Sequence, residues 1–173
     1  MSNKWKIPVL ILLTAAWSRF MAFQISPLTS SDIVAYELAK NQTSAIAIQN
    51  EWARNDLIGE FKMSVYLDYV FIVIYGLCLY VLSTTISNVV FKTRSGIVVL
   101  VTSMAVFVAC LCDAFENMVM LLAISFEPNS TLVLATFWLA VIKFSLVAAV
   151  LFYSIIGFVA YLIVVIRKRA NEQ

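Results

Sequence analysis

Four long apolar stretches dominate this chain, and they leave few folds open to it. They run over about 7–26, 65–91, 96–126 and 132–166. Each reaches the roughly 20 residues that carry a helix across a hydrocarbon slab. In lipid every backbone N–H and C=O must be satisfied internally, so such stretches form helices or closed barrels. Barrel strands would need short segments of strict alternation, whereas these runs are unbroken. The expected fold is an all-α integral membrane protein: one membrane domain over 1–173, built as a four-transmembrane-helix bundle.

Composition agrees. Of 173 residues, 62% are hydrophobic and 13% charged, with a mean hydropathy of +0.93. Soluble domains hold about half apolar and a quarter charged residues. The net charge is only +2 and no basic run could follow a phosphate backbone, so nucleic acid is not an expected partner; the lipid bilayer is. The chain has no histidine, which removes the commonest metal ligand and general base. Cys78, Cys110 and Cys112 form no C-x-x-C motif, and thiols two apart on a helix diverge by about 200°. They read as small apolar filler. No metal site, cofactor or catalytic residue is expected, and Walker, dinucleotide and Ser/His/Asp motifs are absent.

Basic residues set the expected direction. Lys4 and Lys6 precede the first span, Lys92 and Arg94 separate the second and third, and Arg167, Lys168 and Arg169 follow the fourth. The connection from Glu127 through Pro128 to Thr131 has neither Lys nor Arg. Both termini are therefore expected in the cytoplasm. A signal peptide ending near Trp17 is the rival reading of the first stretch, but the apolar run resumes after Arg19 and Trp17 is bulky for a cleavage site.

Residues 27–63 form the expected outer loop. Thr29-Ser30-Ser31-Asp32 reads as a helix start. A second amphipathic stretch places Ile46, Ile48 and Trp52 among Gln49, Glu51 and Arg54. Two short helices, lying on the membrane or capping the bundle, are expected. No internal repeat is evident.

Charges inside the spans point to function. Arg19, Asp68, Asp113, Glu116 and Lys143 interrupt the apolar runs. At about 1.5 Å per residue, measured from the basic ends, Asp68, Asp113, Glu116 and Lys143 converge roughly 27–36 Å up, in one layer. Arg19 lies about 20 Å up and must reach the layer with its long side chain. Asp113, Glu116 and Asn117 share a helix face by i, i+3, i+4 spacing. Asn117 is expected to orient Glu116. Fully ionised, three acids and two bases leave one acid in excess. Tyr75 and Tyr153 lie deeper and are secondary candidates. Beyond the layer, the third and fourth spans continue apolar, so either they stay in the membrane or residues 27–63 fold over them.

The working expectation is an ion, proton or small polar ligand site used for translocation, with Arg19 and Lys143 as intrinsic counter-ions. Four helices enclose little space, so a conducting path calls for a homo-oligomer or a membrane protein partner. An ionic lock that merely fixes the bundle is the alternative; a lipid-modifying enzyme is the second. Leu67-Asp68-Tyr69-Val70-Phe71-Ile72 and Cys112-Asp113-Ala114-Phe115-Glu116-Asn117 resemble a pattern in small bacterial four-span proteins, which implies a bacterial plasma membrane. The loop layout is similar to that of claudin-type proteins, but the outer loop lacks their cysteine pair.

Overall fold

The computed structural model describes residues 5–90, 95–126 and 129–170. These form six helices: α1 (Lys6–Gln24), α2 (Ser30–Glu37), α3 (Gln42–Arg54), α4 (Ile58–Val90), α5 (Ser95–Ser125) and α6 (Ser130–Ala170). Helices α1, α4, α5 and α6 are each long and apolar enough to cross a membrane. Lys4, Lys92, Arg94, Glu127 and Pro128 fall outside the described residues, as do the side chains of Arg167, Lys168 and Arg169. Most of the charges behind the expected direction therefore lie there too.

Helices α4, α5 and α6 pack on one another. Two glycines set how closely they approach. A side chain at Gly76 of α4 would meet Cys110 Sγ of α5 at 2.7 Å, and one at Gly157 of α6 would collide with Ile86 of α4. Small residues are what permit such contact between membrane helices. Leu79, Val106 and Val150 fill the seam between the three. Helix α1 is different: it packs chiefly on α4 and buries none of its residues. Trp17 Nε1 donates to the Leu67 carbonyl at 3.4 Å and fixes its height.

Residues 27–63 fold over the bundle, the second of the two arrangements expected. Thr29 caps α2 through a reciprocal box with Asp32: Thr29 N donates to Asp32 Oδ2 at 2.9 Å, and Asp32 N donates to Thr29 Oγ1 at 3.3 Å. Asn41 caps α3 by accepting from Ser44 N at 2.8 Å, and Asn129 heads α6 by accepting from Leu132 N at 2.9 Å. Asp56, at φ 57°, turns the chain from α3 into α4; Asp tolerates this left-handed conformation.

The underside of this roof is aromatic. Trp52 stacks on Phe61 with centroids 4.8 Å apart, and Tyr36 lies 5.3 Å from Trp52. Together with Leu28 and Ala45 they bury Val65, Met120 and Val133 of the spans. Gln49 Nε2 donates to the Tyr36 hydroxyl at 2.6 Å. Burial of this kind contributes about 1.5–3 kcal/mol per large apolar side chain. It also corrects the loop boundary. Residues 58–64 are the first turns of α4 because Phe61 and Ser64 face the roof and are buried. The outward faces of the same region, including Phe126 and Trp138, remain exposed and apolar, as lipid-facing surface would be.

Candidate functional site

Lys143 lies at the centre of the charge cluster. Its Nζ stands 2.8 Å from Asp113 Oδ1, 2.9 Å from Glu116 Oε2 and 3.4 Å from Glu37 Oε1. Lys143 comes from α6, Asp113 and Glu116 from α5, and Glu37 from the last turn of α2 in the roof. The ammonium is buried, and Glu116 is fully enclosed. Lys143 thus turns inward to the acids and does not extend toward the membrane surface. Tyr75 of α4 donates to the second oxygen of Asp113 at 2.7 Å.

Asp68 stands apart from this knot. Its Oδ2 accepts from Asn117 Nδ2 at 2.7 Å. Among the described residues no Lys or Arg comes within ion-pair distance of it. Asn117 therefore serves Asp68 and does not orient Glu116, because i, i+1 neighbours on a helix point to different partners.

A cavity of about 730 Å³ opens beside the cluster. Its walls come from α1, α2, α4, α5 and α6. Glu37, Asp68, Asp113 and Lys143 line its roofed end. Leu79, Leu82, Val147 and Leu151 line the other end. Ligand sites commonly have this size and mix: mostly apolar walls with a few convergent polar groups.

Formal charge does not balance here. Three carboxylates meet one ammonium, an excess of two negative charges if all are ionised, and Asp68 nearby adds a third. Among the described residues, Glu37 Oε2 and Glu116 Oε1 are buried without a hydrogen-bond donor. Burial raises the Glu37 carboxyl above its usual range; Lys143 opposes this, and Asp113 adds to it.

The sign of that shift predicts a pH dependence. The folded state holds the Glu37 proton more tightly than the unfolded chain does. Stability therefore falls as pH rises from the ordinary carboxylate range through the raised value. Below that range Glu37 contributes no slope. Glu37→Gln should flatten the decline, read as melting temperature against pH in detergent. An unchanged profile would mean that Glu37 is not a source of it.

Two expected members lie elsewhere. Arg19 sits on the exposed face of α1 and makes no ion pair among the described residues. The i, i+4 logic of one helix could not reveal which way this unburied helix turns. Tyr153 is hydrogen-bonded with Ser87 at 2.8 Å, about 15 Å down α6 from Lys143. Glu37 is the acid that span-by-span reasoning missed. Its signal lay in the loop: a capped helix ending in a glutamate, next to apolar spans that needed a cover.

Comparison with known protein families, curated proteins and solved structures yields no match. The functional reading therefore stands on the site alone.

Proposed function

We propose that this chain is a membrane protein whose acidic cavity binds a cation, either a proton or the ammonium of a ligand, as a step in moving it across the bilayer. One observation carries the reading: Asp68 faces a cavity of about 730 Å³ and has no cationic partner among the described residues. Asp68 is half-buried, and a carboxylate without a counter-ion inside a membrane span is costly; in transporters such acids mark ion and substrate paths. Asp68 would hold the cation, Glu37 would share it, and Lys143 would keep Asp113 and Glu116 ordered. Translocation calls for an oligomer or a partner. The distribution of Lys and Arg supports cytoplasmic termini, and the resemblance noted above favours a bacterial plasma membrane.

The ionic lock is the rival, favoured by the way Lys143 ties α2, α5 and α6 together. Asp68→Asn separates the two, because Asp68 lies outside the lock. In nanodiscs, calorimetry should detect saturable binding of ethylammonium or, failing that, proton uptake on pH titration. Asp68→Asn should weaken ethylammonium binding at least tenfold, or remove the proton uptake, at an unchanged melting temperature. Tenfold is about 1.4 kcal/mol, well within what losing a buried charge partner costs. Neither binding nor proton uptake in the wild type would leave the lock.

A further inference from the structure

The size and grading of the cavity go beyond a bare cation. A proton needs one acceptor and a small metal ion a shell of oxygens; neither needs some 730 Å³ of mostly apolar space. The apolar arm is lined by Ala15, Cys78, Leu79, Leu82, Val147 and Leu151. Leu151 lies about 12 Å from Lys143 along α6, and Leu82 about 21 Å from Asp68 along α4. The arm is thus long as well as apolar, and water gains few partners in such a space. At its roofed end stand Asp68 and Glu37; among the described residues Asp68 has no cation, and Glu37, nine-tenths buried, has no donor to Oε2. One side of the cavity is walled by α1, which packs on α4 in preference to α6. Among the described residues, helices α1 and α6 do not pack on one another in this way, which leaves a side route into the cavity between them.

From this grading we infer that the cavity takes an amphiphilic amine. Its ammonium sits between Asp68 and Glu37, its alkyl chain fills the arm toward Leu82 and Leu151, and it enters from the membrane between α1 and α6. This rests on the cation-binding reading and names the ligand class for the same site. An anionic or neutral amphiphile of equal length would meet the same walls but place no positive charge against Asp68. Its headgroup would also face carboxylates already in excess.

The test uses a long-chain alkylamine with a photoreactive diazirine at the chain end, added to the protein in nanodiscs. Label should map to the α4 segment around Leu82 or the α6 segment around Leu151. Dodecylammonium should compete at least fivefold better than dodecanol or dodecyl sulfate at equal membrane content. Asp68→Asn should lower labelling at least fivefold. Val147→Trp should block the arm and remove the label while ethylammonium binding persists. Should that variant fail to fold, Ala15→Phe fills the arm from the opposite wall. Asp68-dependent ethylammonium binding without specific label in the arm would overturn the amphiphile inference and leave the cation site standing. Equal competition by dodecanol would overturn it as well. Absence of any Asp68-dependent binding, of amine or of proton, would overturn both.

Discussion

Replacing Lys143 with methionine should cost the folded protein about 3–5 kcal/mol, the range for removing one partner of a buried ion pair. Three carboxylates meet at this ammonium, and no second cation among the described residues can take its place. Methionine fills a similar volume, so the loss would be electrostatic and not a packing defect. Denaturant titration in detergent, with size-exclusion yield beside it, reads the effect. Adding Asp113→Asn should recover part of the loss, because it removes the acid closest to the missing charge. The double variant should then deviate from additivity by at least about 1 kcal/mol, as residues in one network do. Wild-type stability in Lys143→Met would show that the acids are not organised around this residue.

Trp52→Ala should undo the roof. Trp52 is buried between Tyr36 and Phe61, and truncating a buried aromatic costs about 3–5 kcal/mol. The spans keep their own contacts, so the expected result is local opening and not global unfolding. Amide exchange should rise across α2 and α3 while α4, α5 and α6 beyond the roof stay protected. Glu37 would leave Lys143 with the opening helix, and the cluster would become wet. Unchanged exchange over α2 and α3 would mean that the roof is held by other contacts, such as Ser130 with Gln42 or Lys40 over the Phe137 ring.

Much of this architecture is legible in the residues, for identifiable reasons. Lipid forces long apolar runs into helices, so the four spans follow from composition and length. The height of Asp113 and Lys143 follows from helical rise, which is the same in every helix. The Thr29 to Asp32 box is local chemistry and reads directly. Rotation of one helix against another is not local. Arg19 points away from the cluster because α1 leans on α4 by a face that no periodicity in its nearly uniform apolar sequence marks. Asn117 turning to Asp68 was hidden for the same reason, since the choice lies between helices. Glu37 was hidden because loop acids are ordinarily solvated, and only the apolar roof around it makes this one different.

The length of the helices has a last consequence. Helix α4 has 33 residues and α6 has 41, whereas about 20 suffice to span hydrocarbon. The surplus gives the protein freedom to ride higher or lower, or to tilt, as bilayers thicken and thin. Because the lid is bonded to the same rods that carry the acids, it travels with them. Shelter for the ionic core is portable, supplied by the polypeptide and indifferent to where the headgroups happen to stand.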